Sequence, residues 1–436
     1  MRILMLGWEF PPHISGGLGT ACHGMTQALA KRGQQVVFIL PRVREGAHVS
    51  FLEMISASGT PISPDMDRRI AWSQAHVWED RLRTQAIDAW LVPYVTPETY
   101  HEALMRMGES TDWLTELPGG GYTYRLYGGY GPSLLDEVRR FAQLAAAAAM
   151  QETFDVIHVH DWMTYPAGIL IKQLTGKPLV AHIHATEFDR SGLNVNHLVY
   201  GIERAGMWMA DRVVAVSELT RRTVIEHYGI DPEKVQVVHN AVARHEVVHR
   251  YKVPERIRHE KRVLFLGRIT FQKGPEYFME AARLVLDRVP NVRFFMAGSG
   301  DMLPLLIRRA GELRIGSRFH FAGFLRGEDV DRIYALSDLY VMPSVSEPFG
   351  ITPLEAMLYD VPVLLSRQSG VSEILTHALK ADFWDTRDMA DKICAVLTYP
   401  CLSRELVRNC HEEMRNIRWE NSADQLIAIY SSLAGR

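Results

Sequence analysis

A chain of 436 residues with 47% apolar side chains is too long for one ordinary domain and has enough apolar surface for two cores. Its 48 Lys and Arg against 51 Asp and Glu give a formal charge of -3, without the basic excess that a nucleic-acid backbone demands. Four cysteines without a C-x-x-C pair argue against a disulfide framework and a structural zinc site, and no apolar run approaches the roughly 20 residues of a membrane span. A cytoplasmic protein with no membrane span and no nucleic-acid partner is expected.

Apolar runs of strand length alternate with helical patterns twice along the chain, the signature of parallel sheets covered on both faces. In the first half the predicted strands are 2–7, 36–41, 156–160, 179–184, 213–217 and 235–239. In the second they are 263–267, 292–297, 319–323, 339–343 and 361–366. Each half reads as a doubly wound α/β domain, and the charged, weakly periodic stretch from Ala241 to Arg262 reads as the linker. A ligand cleft is expected between the domains. Residues 43–135 break the rhythm, are rich in aromatics and read as an insertion; the alanine run Ala145 to Ala149 reads as a helix.

Polar and glycine residues gather at strand ends. After the first strand, Gly16-Gly17-Leu18-Gly19 opens a helix whose apolar face is Ala21, Met25, Ala28 and Leu29. A glycine loop entering a helix lets backbone amides approach a phosphate. The loop is neither G-x-G-x-x-G nor a P-loop, and the second strand ends without the acidic residue of a dinucleotide site, which disfavours a dehydrogenase or a Walker-type NTPase. His158, His160 and Asp161 end the third predicted strand, His182 and His184 the fourth, and His239 and Asn240 the sixth. His-x-His hints at metal, but no further ligand set is apparent, and His160 reads as a hydrogen-bonding cleft residue, with Glu9, Asp161, His184 and Asn240 as further cleft candidates.

In the second half Arg268 and Lys273 follow a strand end, where a planar fork and a point charge can clamp a diphosphate. Glu347 and Glu355 flank a glycine turn between a strand and a helix, a site for phosphate and sugar at a helix start. Thr352-Pro353-Leu354-Glu355 equally fits a capping box, with Glu355 returning a bond to its own helix.

Taken together, Gly16-Gly17-Leu18-Gly19, His160-Asp161-Trp162, Arg268 with Lys273, Glu347-Pro348-Phe349-Gly350 with Glu355, and Arg418-Trp419-Glu420 resemble the retaining GT-B glycosyltransferases. With Trp8-Glu9-Phe10-Pro11-Pro12, the likeness is greatest to the glycogen and starch synthases. It implies two Rossmann-like domains facing across a cleft, about 1–245 and 246–418, and a last helix, 419–436, crossing back to the first.

The resemblance also implies roles. Gly16 and Gly17 would meet the diphosphate, and His160 the donor sugar. Arg268 and Lys273 would hold the leaving phosphates. Glu347, Phe349 and Gly350 would bind sugar hydroxyls, Ile351 and Thr352 phosphate, and Glu355 the ribose. Such enzymes need no metal and no cofactor beyond the substrate, ADP-glucose or UDP-glucose, and the acceptor would be an α-1,4-glucan or oligosaccharide. Ile14 stands where the common bacterial glycogen synthases carry lysine, which leaves open another saccharide or lipid acceptor. A nucleotide-sugar epimerase and a noncatalytic sugar-binding protein are the competing readings, and nothing assigns an oligomeric state.

Overall fold

The computed structural model describes residues 1–11, 16–43, 49–78, 114–118, 120–128, 134–243 and 260–434. Ile14, the aromatics Trp90, Tyr94, Tyr100, Trp113 and Tyr130, and most of the expected linker lie outside these residues.

The first half runs β1 (Arg2–Leu6), α1 (Gly17–Lys31), β2 (Gln35–Leu40), β3 (Glu53–Ser56), α2 (Pro64–Trp78), β4 (Leu114–Glu116), β5 (Tyr122–Tyr124), α3 (Leu134–Ala149), β6 (Val156–His160), α4 (Tyr165–Thr175), β7 (Leu179–Ile183), α5 (Glu187–Ser191), α6 (His197–Met209), β8 (Arg212–Ala215), α7 (Glu218–Tyr228) and β9 (Val235–Val237). Seven strands form one parallel sheet in the order β3-β2-β1-β6-β7-β8-β9. Along β6, Ile157 and Val159 enter the core shared with α3 and α4, while Val156 enters the core shared with α1 on the other face. Such double burial makes Ile3–Leu6 of β1 and Val36–Leu40 of β2 read as continuous apolar runs. The alanines of α3 are buried.

The stretch 43–135 is not wholly an insertion. Glu53–Ser56 pairs in parallel with β2 as the sheet's edge strand, whereas β4 and β5 form a separate antiparallel pair.

The second half runs β10 (Lys261–Leu266), a 3-10 turn at Phe271–Lys273, α8 (Pro275–Leu286), β11 (Val292–Ala297), α9 (Leu303–Glu312), β12 (Phe319–Gly323), α10 (Glu328–Ala335), β13 (Leu339–Met342), α11 (Thr352–Leu358), β14 (Val363–Ser366), α12 (Val371–Ile374), β15 (Leu379–Ala381), α13 (Thr386–Thr398), α14 (Pro400–Met414) and α15 (Trp419–Ala434). Its six-stranded parallel sheet has the order β12-β11-β10-β13-β14-β15. Val263, Phe265 and Val341 face Phe278, Ala282 and Ile393, and Leu264, Tyr340 and Leu365 face Leu354, Met357 and Met414.

Both sheets reverse their winding once, between β1 and β6 and between β10 and β13. In an open parallel sheet the crevice at the carboxyl ends of such a strand pair is where ligands bind. The fold therefore supplies two crevices.

From α14, packed in the second domain through Cys410 and Met414, the chain crosses to α15, whose Ala423, Leu426, Tyr430 and Leu433 join the core of the first. Gly24 on α1 leaves room for Trp419, since a Cβ there would stand 2.2 Å from the indole nitrogen. Arg32 grips Asp424 with two bonds of 2.6 and 2.7 Å. Among the described residues no helix is long and apolar enough to cross a membrane.

Candidate active site

In the second domain, the loops after β10 and β13 converge. Lys273, at the end of the 3-10 turn, places Nζ 2.5 Å from Oε2 of Glu347, and Ser344 Oγ donates to the same oxygen at 3.2 Å. Glu347 is nearly buried, with 8% of its side chain exposed against 20% for Lys273. Arg268 donates from Nη2 to Gln272 Oε1 at 3.0 Å, and the Gln272 carbonyl accepts the amide of Val345 at 2.9 Å. A buried glutamine thus ties the cation loop to the glutamate loop.

Gly350 holds φ +98°, a left-handed conformation, and a Cβ there would press within 3.1 Å of Glu347 and Met342. The chain then enters α11 with Pro353 in its first turn and no side-chain cap. The capping box does not form. Tyr340 Oη donates to Thr352 Oγ1 at 2.8 Å, and the Glu355 carboxylate accepts from Tyr334 Oη at 3.1 Å. Burial pushes the Glu355 carboxyl above its ordinary range, against the lowering by that bond and with a further raise from Asp331.

The first domain's crevice has another chemistry. His158 and His160 project from one face of β6 with rings stacked at 4.5 Å, and His182 and His184 stack at 4.3 Å beside them. Tyr430 Oη of α15 bonds His158 Nδ1, His158 Nε2 lies 3.1 Å from His182 Nδ1, and His160 Nδ1 lies 3.1 Å from His184 Nε2. Burial pushes all four imidazoles down, His158 and His184 to about 3 and His160 and His182 well below the ordinary value, so they are neutral at pH 7. Each link in a neutral ladder needs one ring N–H and one bare nitrogen, so the tautomers of bonded rings are coupled.

His182 and His184, placed by the sequence at the end of the next predicted strand, are brought against His158 and His160. His158, His160 and His182 each bring one nitrogen within 4.8 Å of the others. The geometry is that of a hydrogen-bonded ladder.

Asp161 follows with φ +60°, and its Oδ1 accepts the amides of His184 at 2.7 Å and Ala185 at 3.4 Å. Its carboxyl, pushed up to about 6 by burial against those bonds, pins the loop after β7. His160 is fully buried and Asn240 is also buried; among the described residues His160 Nε2 and Asn240 Oδ1 have no hydrogen-bond partner. Gly16 caps α1 in extended conformation and its would-be Cβ lies 3.9 Å from Glu9 Oε2, whereas one on Gly17 would meet nothing within 4 Å among the described residues. With no side-chain cap and no acidic residue in its first turn, α1 presents a start suited to an anion.

The two crevices meet. Asp189 of α5 accepts from Ser346 Oγ at 2.5 Å, directly before Glu347, and Ser217 Oγ donates to the Pro348 carbonyl at 2.5 Å. Sequence reasoning missed Gln272, Asp189 and Ser217. Only Gln272, lying between the two cations, carried a local signal.

Two doubly wound domains agree with what comparison shows. Residues 2–236 match the starch synthase catalytic domain, and residues 250–416 match the glycosyl transferases group 1. An uncharacterised glycosyltransferase of Methanocaldococcus jannaschii is 26% identical, covering 99% of this chain and 98% of its own. A glycogen synthase of Mycobacterium tuberculosis is 24% identical over 99% of this chain and 94% of its own. The structure of sucrose-phosphate synthase from Thermosynechococcus elongatus superposes with a TM-score of 0.70 at 17% identity, over 100% of this chain and 99% of that one. The fold is GT-B and the protein is a glycosyltransferase. The chain belongs to the starch synthase catalytic domain family, in the glycogen and starch synthase-like group.

Proposed function

We propose that this glycosyltransferase moves glucose from ADP-glucose or UDP-glucose to the non-reducing end of an α-1,4-glucan with retention at the anomeric carbon. The observation that carries the reading is the Lys273–Glu347 pair, 2.5 Å apart beside Arg268 at the second domain's switch point. A diphosphate entering there takes Lys273 from Glu347. The carboxylate is then free to accept hydrogen bonds from sugar hydroxyls.

Chemically, the bond between the anomeric carbon and the phosphate oxygen breaks through an oxocarbenium-like state. Arg268, Lys273 and the amides at the start of α11 stabilise the charge gathering on the leaving diphosphate. The acceptor hydroxyl attacks from the same face and its proton passes to the departing phosphate, so neither a metal nor a second carboxylate nucleophile takes part. His160 in the opposite crevice, its Nε2 unpaired among the described residues, orients the sugar, and Glu355 accepts the ribose hydroxyls by exchanging its bond to Tyr334. Family membership and the likeness to a glycogen synthase support glucan as acceptor.

The test is incubation with UDP-glucose or ADP-glucose and a maltooligosaccharide, with and without chelator, followed by product mass and anomeric NMR. An oligosaccharide longer by one α-linked glucose, formed equally with chelator, is expected. A β linkage overturns the retaining mechanism, and transfer only to other acceptors overturns the glucan assignment.

A further inference from the structure

The loop that carries Glu347 is fastened from both domains. Within its own domain, the amides of Gly370 and Val371 donate to the carbonyls of Glu347 at 2.9 Å and Phe349 at 2.7 Å, so the start of α12 moves with the glutamate loop. From the first domain, Ser217 and Thr220 donate their hydroxyls to the Pro348 carbonyl at 2.5 and 3.3 Å.

Gly370 sits at φ -64°, ψ -33°, a conformation open to any residue, so its backbone does not require glycine. Space does. A Cβ there would stand 2.1 Å from the Pro348 oxygen and 2.5 Å from the Ser217 Cβ. The two domains touch through this missing side chain.

Beside it lies a cap that crosses the joint. Ser217 is the N-cap of α7 and accepts from the amide of Thr220 at 3.0 Å. The amides of Glu218 and Leu219 are met instead by the second domain, at 2.9 Å from Glu373 Oε2 and 2.7 Å from Oε1. A carboxylate receiving two amides at a helix start gains from charge-assisted bonds and from the helix dipole together. His239, near the point where the first domain ends, lies 3.4 Å from the same carboxylate, and its carbonyl accepts from Ser422 of the returning α15.

We propose that Glu373 is a positioning residue for glycosyl transfer: from the second domain it caps α7 of the first, and thereby holds the Glu347 loop in the closed arrangement that completes the donor site. Its effect travels through α12 to the backbone of Glu347. It rests on glycosyl transfer and not on the identity of the acceptor.

The experiment compares the full chain with Glu373→Ala and Glu373→Gln by three readouts: hydrogen exchange at the amides of Glu218 and Leu219, small-angle scattering without ligand, and steady-state nucleotide release from UDP-glucose and ADP-glucose. In Glu373→Ala the two amides are expected to exchange at least about tenfold faster, and the radius of gyration to increase while the melting temperature stays within about 2 °C. With the donor that the wild type turns over, kcat is expected to fall about tenfold and KM to change less than about twofold. Glu373→Gln keeps one acceptor oxygen and is expected to recover part of all three. Unchanged exchange overturns the cap. Faster exchange with unaltered scattering or unaltered kcat reduces Glu373 to a local contact and overturns the positioning role. Exchange and scattering need no substrate, so failure of the glucan reading leaves this test intact.

Discussion

The two switch-point crevices occupy corresponding places in their sheets and are built from opposite chemistry. The second holds a paired cation and carboxylate fed by loops after β10 and β13. The first holds buried imidazoles kept neutral, with Asp161 engaged by backbone amides. Two doubly wound domains thus offer two binding edges, and the side chains at the strand ends decide which suits a charged group. Under the proposed function the charged edge holds the diphosphate, which the start of α1 meets from the first domain, and the neutral histidines meet the sugar.

The largest way to break this contrast is Lys273→Ala. Loss of the leaving-group cation is expected to lower the maximal rate by about a hundredfold, roughly 2.7 kcal/mol of transition-state stabilisation, in steady-state assays of donor turnover. The substitution also strands the nearly buried Glu347, so a lower melting temperature accompanies the loss. Restoring charge with Lys273→Arg, without the compact ammonium, is expected to recover stability more than rate.

A smaller effect is expected from Glu355→Gln. The amide can still accept from Tyr334 Oη, the bond seen at 3.1 Å, but the charge is gone. Donor affinity measured by calorimetry is expected to weaken about tenfold, near 1.4 kcal/mol, with little change in melting temperature. A large stability loss with unaltered affinity would make Glu355 a packing residue only.

The neutral edge is sharpened by pH. His158 and His184 have folded pKa values near 3, below the unfolded value of about 6.5. The unfolded chain therefore binds more protons between those limits, and this contribution to stability falls as pH falls through the window. Asp161, raised to about 6, and Glu203, raised to about 7 by burial against its bonds to Arg190 and Tyr228, act in the opposite sense, losing stability as pH rises above the unfolded carboxyl range. Replacing His158 by Phe is expected to lessen the acid-side slope by up to about 1.4 kcal/mol per pH unit, whatever its baseline, as read from denaturant unfolding between pH 6.5 and 4.5.

How much of this was legible in the sequence follows from what each feature depends on. The central strands were readable because burial on both faces makes them unbroken apolar runs, as in Ile3–Leu6 and Val36–Leu40. The edge strands Glu53–Ser56 and Leu379–Ala381 were not, since they are short and only partly buried. The cations and glutamates stood out at strand ends, yet the bond between Lys273 and Glu347 spans 74 positions and depends on β10 lying beside β13. The histidine ladder is hidden for the same reason, because β6 and β7 register His160 against His182 only once the sheet forms. Glu373 looks like any surface glutamate until α7 of the other domain is brought against it.

The most direct test is a structure of the full chain soaked with UDP-glucose or ADP-glucose without metal. The account expects the diphosphate oxygens within hydrogen-bond distance of Lys273 Nζ and the Arg268 guanidinium, with Glu347 released from Lys273 and the sugar turned toward His160. A diphosphate bound at the histidine edge, or a Lys273–Glu347 pair left intact beside bound donor, would contradict it.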